Sequence, residues 1–305
     1  MGFFNRGGPR ESRDERERRE EHRRADIERI AAGGIPAAAE ERLRTLGAEA
    51  GQAFTSDLSV PEFALLRRHD LEPLTQVMGS SVYHVGWRFM GAWYGTGVEL
   101  TVLSDAYNDC RTRALDRLRQ EAELAGADAV VGVRVTAARY EWGTDLIEFQ
   151  AIGTAVRAPD LRTGRGPALT NLSGQDCALL LAGGHRPCGI VGATAVYYGS
   201  LYAGMQGMPT SSRVWWGNVE LAGATQTWYA ARHRVLQGLA ADAARLRAEG
   251  IVATRWTQEE RPYETGDRLA GVTYIIHALA TAIAPGEGTP HPDIATVLTL
   301  SKETQ

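Results

Sequence analysis

The chain has 305 residues, 44% hydrophobic and 23% charged, which is the composition of a globular protein long enough for two ordinary domain cores. Its formal net charge of −4 gives no basic field and argues against nucleic acid as a partner. No apolar run reaches the roughly 18 residues of a membrane helix, so we expect no transmembrane segment. Three cysteines without a CxxC pair, and an N-terminus without the apolar stretch of a signal peptide, favour a cytoplasmic location.

The N-terminal part divides into a charged tail and a helical hairpin. Residues 1–24 mix Arg with Glu and Asp, which predicts a solvated tail that is partly helical or disordered. In residues 25–50, two helical pieces flank Gly33-Gly34-Ile35-Pro36, because Gly ends helices and Pro suits a first helical turn. So short a hairpin needs something to dock on. Residues 1–47 are also the candidate arm for recruiting a protein partner.

An internal repeat begins near residue 54. At an offset of 114, Leu58-Ser59 corresponds to Leu172-Ser173, and Val82-Tyr83 to Val196-Tyr197. At an offset of 121, an apolar helical stripe is kept position by position: Tyr107, Cys110, Ala114, Leu118, Ala122 and Ala125 correspond to Trp228, Ala231, Val235, Leu239, Ala243 and Leu246. We therefore predict repeat 1 over 54–157, a linker over 158–168, repeat 2 over 169–284 and a C-terminal tail over 285–305.

Both repeats have the same predicted elements. A short helix (59–69; 173–183) precedes a strand (71–85; 186–199) and an aromatic insert (87–97; 201–217). A short strand then leads into a long helix, which is followed by two strands joined by a turn (129–140 with 146–157; 250–259 with 271–283). Ser104 and Thr225 are the expected N-caps of the long helices, and Gly126 is expected to end the first of them. The prediction is an α+β fold, a tandem repeat of a small mostly antiparallel sheet packed on one long helix. The strand at 146–156 is apolar on both faces, so its second face needs a cover from oligomerisation or from packing between the repeats.

Three stretches resemble the YbjQ family, often labelled "heavy-metal-binding domain": VMGSSVYHVG (77–86), SDAYNDCRTRALDRLRQEAELAGADAVVGVRV (104–135) and FQAIGTAV (149–156). Repeat 2 is a diverged copy, with AEGIVA (248–253) where repeat 1 has ADAVVG. The resemblance implies a dodecin-subunit-like α+β fold whose single-domain members assemble into rings of about five, that is, pentamers. Five chains of this protein could then form two stacked rings, one of each repeat. The resemblance implies no established chemistry.

The candidate metal ligands are weak. Cys177, His185 and Cys188 are the nearest grouping of thiols and imidazoles, but their spacings of 8 and 3 match no zinc pattern. Cys177 stands where repeat 1 has Phe63, which favours a buried thiol. Cys110 lies on the apolar stripe and is expected in the core.

Aromatic residues at strand ends and in the inserts are the ligand or interface candidates: Tyr83, His84, Trp87, Trp93, Tyr197, Tyr198, Trp215 and Trp216. A neutral His beside aromatic rings could line a ligand pocket or act as a base, and an aromatic loop could bind a partner. Packing against a neighbouring subunit is the favoured interpretation.

The first long helix carries Arg111, Arg113, Arg117 and Arg119, which alternate with acidic residues. This pattern predicts a solvent-exposed face with salt bridges. No P-loop, GxGxxG or Ser-His-Asp spacing is present, so we expect neither an enzyme nor a cofactor. The sequence favours a non-enzymatic homo-oligomeric scaffold or interaction module. The alternative is a small-molecule or metal-binding protein with sites at subunit interfaces.

Overall fold

The computed structural model describes residues 13–48, 55–85, 96–139, 146–200, 220–265 and 268–286. In chain order its elements are α1 (Arg13–Ala31), α2 (Ala37–Ala48), α3 (Val60–Arg68), β1 (Glu72–His84), β2 (Thr96–Glu99), α4 (Thr101–Leu124), β3 (Ala129–Arg139), β4 (Leu146–Arg157), β5 (Ala168–Leu169), α5 (Gly174–Ala182), β6 (His185–Ser200), α6 (Ala222–Arg245), β7 (Gly250–Thr265) and β8 (Arg268–Pro285). A short 3-10 turn spans Pro159–Leu161. None of the helices in these ranges has the length and apolar character that a membrane crossing requires.

The strands form two four-stranded sheets, each packed on one long helix. The first sheet has the order β1-β4-β3-β5 and the second has the order β2-β6-β8-β7. The pairs are antiparallel except for β3 with β5. The expected mixed architecture with antiparallel sheets is confirmed. Below, residues 55–169 are called the first unit and residues 170–286 the second unit.

Each long helix lies very close to the first strand of its unit. In the first unit the close approach falls on a strand glycine, because a Cβ at Gly79 would overlap the backbone of Ala114 and Leu118 on α4. In the second unit it falls on a helix glycine, because a Cβ at Gly238 would lie 2.6 Å from the Cβ of Ala193 on β6. A side chain is missing on one side of each contact, so helix and strand can pack at short range.

The long helices begin earlier than expected. The N-cap of α4 is Leu100, not Ser104, and the N-cap of α6 is Leu221, not Thr225, so both predicted caps are wrong. The reason is tertiary, because the Ser104 hydroxyl accepts a hydrogen bond from the backbone N–H of Val196 on strand β6. The predicted end of α4 is confirmed, since Gly126 follows the helix with a φ of 70°.

The N-terminal hairpin docks on α4. Two helices flank Gly33 and Gly34 as expected, and the first of them also includes part of the charged stretch, since it is continuous over Arg13–Ala31. Ile35 and Leu43 are buried in one cluster with Leu118. The Arg117 guanidinium fixes the turn by donating to the carbonyl oxygens of Ile30 at 2.9 Å and Gly34 at 3.1 Å. The expected docking is therefore observed, and the partner surface is α4 of the same chain.

The second face of the first sheet is covered at one end by the short helices. Leu66 of α3 and Cys177 of α5 belong to one buried cluster with Val131 and Val156 of the sheet. α3 belongs to the first unit and α5 to the second, so packing between the two units provides part of this cover. Burial of apolar side chains across the two units stabilises their mutual placement.

Candidate functional site

The two units meet where the start of α4 runs along the edge of β6. β2 precedes α4 in the chain, yet it pairs with β6 in the second sheet, with Glu99 opposite Tyr197. The N–H of Leu100 extends this ladder by donating to the carbonyl oxygen of Val196 at 2.8 Å. The second sheet is therefore completed by a strand that comes from the first unit.

Polar side chains of α4 continue this contact along β6. Ser104, Asn108 and Arg111 lie on one side of the helix and bond alternate residues of the strand. The Val196 N–H donates to Ser104 Oγ at 2.9 Å, and Asn108 bonds both backbone groups of Thr194. We call these residues, with Glu99, Leu100 and Gly192, the junction. It satisfies backbone groups that an edge strand would otherwise expose.

Arg111 is the most buried charged group of the junction. Its guanidinium donates to Thr194 Oγ1 at 2.9 Å, to Asn108 Oδ1 at 2.8 Å and to the carbonyl oxygen of Gly192 at 2.6 Å. All three acceptors are neutral, and burial lowers the pKa of Arg111 to about 10. The hydrogen bonds offset the desolvation of the cation, which is otherwise costly to bury.

His277 of β8 lies beside Arg111 on the inner side of the junction. Its Nδ1 is 2.9 Å from Thr194 Oγ1, and its ring stands at 53° to Tyr107 with centroids 5.3 Å apart. Phe149 meets the same imidazole edge to face. Burial, with a smaller contribution from Arg111, lowers the pKa of His277 to about 4. The imidazole is therefore neutral at pH 7.

A cavity of about 240 Å³ opens between the two sheets next to these residues. Its basic lining residues are Arg111, Arg134, Arg255 and His277, and the walls include Phe149 and Leu279. Arg134 also forms an ion pair with Asp57. Clustered guanidinium groups favour an anionic ligand over a cation.

The structure separates the aromatic candidates into two environments. Tyr197 and Tyr198 are buried at the junction, and the Tyr197 hydroxyl donates to Glu99 at 3.5 Å. Tyr83 is half-buried with the guanidinium carbon of Arg113 5.7 Å above its ring, and His84 is exposed. The insert residues Trp87, Trp93, Trp215 and Trp216 lie outside the described residues.

The weak metal candidates lie in different surroundings. Cys177 is fully buried, as its apolar position indicated, and burial raises the pKa of its thiol to about 12. His185 Nε2 instead lies 2.8 Å from a carboxylate oxygen of Glu249. Within the described part of the chain, no three His, Cys, Asp or Glu residues are grouped to hold a metal ion.

The expectation of a solvent face for the α4 arginines is wrong for Arg111 and Arg117. Both are buried, and both bond carbonyl oxygens outside their own helix. Arg119 fits the expectation, since it pairs with Asp116 on the surface. Helical spacing alone cannot separate these cases, because whether a position faces water depends on what packs against the helix.

Sequence reasoning missed Asn108, Thr194 and His277 as parts of one network. They lie far apart in the chain, and no local pattern marks Thr194 or His277. One signal was available: an Asn in a helix interior, where its propensity is poor, often has a tertiary hydrogen-bond partner.

Comparisons with known proteins place the chain in a family. A family model described as "Putative heavy-metal-binding" matches residues 78–159. A UPF0145 protein of Alkaliphilus metalliredigens is 34% identical over 95 residues, which is 30% of this chain and 90% of the relative. The chain belongs to the YbjQ (UPF0145) family. A UPF0145 protein of Archaeoglobus fulgidus is 37% identical over 94 residues, covering 85% of its length.

A longer relative extends the likeness across both units of this YbjQ-family chain. The protein named "Encapsulin nanocompartment protein Rv1762c" of Mycobacterium tuberculosis is 36% identical over 232 residues. The match covers 74% of this chain and 85% of that protein. No solved structure was found to be significantly similar.

Proposed function

We propose that this protein is a non-enzymatic homo-oligomeric scaffold or interaction module built from two tandem YbjQ-like repeats. The observation that carries the proposal is the strand β2, which leaves its own unit to complete the sheet of the other. Pairing of a strand from one unit with the sheet of another is a common way for protein units to associate. The Mycobacterium tuberculosis relative is named as a nanocompartment protein, and that name is consistent with a role in a protein assembly.

The chemistry of the buried polar groups supports a structural role. Arg111, Asn108 and Thr194 bond one another and the backbone, and His277 is held neutral by burial. Catalytic groups are usually poised in a cleft with a partner for proton transfer. Here the titratable groups of the junction are engaged in holding the two units together.

The family resemblance implies five chains in two stacked rings, one of each kind of unit. Native mass spectrometry of the purified full-length chain tests the oligomeric role directly. We expect a defined homo-oligomer. Because each chain has two units, a mass equal to five chains, or ten units, would support that stoichiometry. A monomer across the micromolar range would overturn the scaffold proposal.

The outer part of α1 is the proposed recruiting surface. Its side chains are mostly exposed and charged, whereas Ile35 and Leu43 in the rest of the hairpin are buried on α4. Removing residues 1–24 should therefore leave the oligomer intact and abolish capture of a protein partner. An unchanged set of captured partners would contradict this role.

A second candidate function, binding of a small anionic molecule, is favoured by the cavity beside Arg111, Arg255 and His277. A thermal-shift screen with phosphate, nucleotides and dicarboxylates tests it, and metal analysis of the purified protein tests Cys177, His185 and Cys188 as ligands. The anion candidate requires a shift that the variant Arg255→Met loses.

A further inference from the structure

We propose that the chains bind each other head to tail, with the start of α6 in one chain docked on the free edge of β1 in a second copy. The contact copies the junction within the chain and rests on the proposed scaffold function. The occupant of the β1 edge is thus Glu220-Leu221 of a second copy, in the place that Glu99-Leu100 takes on β6.

The sequence places matching residues on both sides of the proposed contact. Val98-Glu99-Leu100 precedes α4, and Val219-Glu220-Leu221 precedes α6 at the same offset of 121 that relates the two helices. On the receiving side, Val82-Tyr83 of β1 corresponds to Val196-Tyr197 of β6. The donor and acceptor motifs therefore each occur twice, but only one pair is joined within a chain.

The exposed fractions of the side chains show which donor and acceptor pair is not joined within one chain. Leu100 and Val196 are 9% and 0% exposed in the junction. Their counterparts Leu221 and Val82 are 45% and 53% exposed. β1 is the edge strand of the first sheet, and no other described strand pairs with its outer side. An edge strand with exposed apolar side chains is a site for pairing with another chain.

Charge complementarity supports the same occupant. In the junction, Glu99 lies between the Nε of Arg234 at 3.3 Å and the hydroxyl of Tyr197 at 3.5 Å. The first unit holds the same basic and aromatic pair, since Arg113 lies over the ring of Tyr83. The matching carboxylate is Glu220, which is exposed just before α6 and accepts a hydrogen bond from the Thr225 hydroxyl at 2.9 Å. Docking would bring Glu220 of a second copy to Arg113 and Tyr83.

The copied contact is limited to the first turn of α6. Thr225 replaces Ser104 and can accept from the N–H of Val82 as the serine does from Val196. Farther along, Tyr229 replaces Asn108 and lacks its amide, and the carbonyl oxygen of Ser80 is already bonded to Arg117 at 2.6 Å. The expected interface is therefore shorter than the junction.

The proposed contact sets the order of the units in the assembly. Each contact joins a second unit to a first unit, so the two kinds of unit alternate, and a closed ring contains an even number of units where single-domain relatives are expected to have about five. Two stacked rings, each made of one kind of unit, would instead join like units, so the proposed contact replaces that arrangement and keeps the scaffold function. The two arrangements place Val82 against different residues of the neighbouring chain.

Cross-linking of full-length chains separates the arrangements. The variants Val82→Cys and Leu221→Cys are made separately in a Cys188→Ser background, mixed during reassembly and oxidised mildly. Residues opposite each other on antiparallel strands are close enough for such a bond. A disulfide-linked dimer should form in the mixture and be absent from each variant alone.

Two results would overturn the proposal. One is a cross-link in a single-variant sample without the mixed product. The other is an oligomeric native mass with no cross-link in the mixture, which would leave the scaffold function intact and reject this contact alone. A monomeric mass of the parent chain would instead reject the scaffold function as well.

A charge exchange tests the same contact without cysteines. Glu220→Arg or Arg113→Glu alone should lower the oligomeric fraction at least several-fold, because each places like charges together. The double variant should restore assembly, and Glu20→Arg on α1 should leave it unchanged. Absence of rescue in a double variant with a native circular dichroism spectrum would contradict the pairing of Glu220 with Arg113.

Discussion

Asn108 and Thr194 exchange two hydrogen bonds across the junction. The Asn108 Nδ2 donates to the carbonyl oxygen of Thr194, and the Thr194 N–H donates to Asn108 Oδ1, both at 2.9 Å. A side-chain amide of α4 thus pairs with strand backbone as a neighbouring strand would. Because the two residues belong to different units, this pair links the stability of one unit to the other.

Removing the amide should weaken the whole chain. Asn108→Ala leaves both backbone groups of Thr194 without their partner in a partly buried site, which costs about 1–3 kcal/mol of unfolding free energy. Urea unfolding measures the change, with Asp109→Ala on the exposed side of α4 as the control. Equal midpoints for the two variants would show that the pair contributes nothing to stability.

Acid should destabilise the protein through His277. Burial and Arg111 lower the pKa of His277 from 6.5 to about 4. As pH falls, the imidazole is therefore protonated in the unfolded chain at a higher pH than in the folded chain. The contribution of neutral His277 to the free energy of unfolding is fully present above about pH 6.5. It is lost as pH falls towards 4, by at most about 1.4 kcal/mol per pH unit. Urea midpoints between these pH values measure the slope.

The variant His277→Gln should flatten that slope while lowering stability at neutral pH. His22→Gln, on the exposed surface of α1, is the matched control and should keep the parent slope. Parallel curves for the parent and His277→Gln would mean that another group causes the acid sensitivity.

The close approach of β1 to α4 should make Gly79 intolerant of any side chain. Gly79→Ala forces a Cβ into the backbone of Ala114 and Leu118, so strand and helix must separate. We expect a loss of about 3 kcal/mol or more, at the upper end for overpacked cores. Gly164→Ala is the control, because nothing lies within 4 Å of its added Cβ. Thermal unfolding distinguishes the two.

The hairpin should contribute to stability through Leu43. This side chain is fully buried against α4, so Leu43→Ala should cost about 2–5 kcal/mol. Ile27→Ala, at a position of α1 that is more than half exposed, should change stability by less than about 0.5 kcal/mol. If both variants unfold at the same urea concentration, the hairpin is not held by this contact.

The sequence by itself determined the elements and the family. Apolar periodicity located the long helices, and the glycine at position 126 marked the end of α4, because these signals depend only on neighbouring residues. The motifs at 77–86, 104–135 and 149–156 were enough to indicate the YbjQ family. Cys177 was correctly expected to be buried because it replaces an aromatic residue at an apolar position.

Only the tertiary structure decided which unit each element completes. Ser104 resembles a helix cap in sequence, yet its hydroxyl bonds Val196 on a strand 92 residues away. Arg111 resembles a surface arginine, yet it is buried against the carbonyl oxygen of Gly192. Local patterns encode the preferences of a segment, whereas burial and hydrogen-bond partners depend on what the rest of the chain brings beside it. The exchange of β2 between the units is therefore a property of the folded chain.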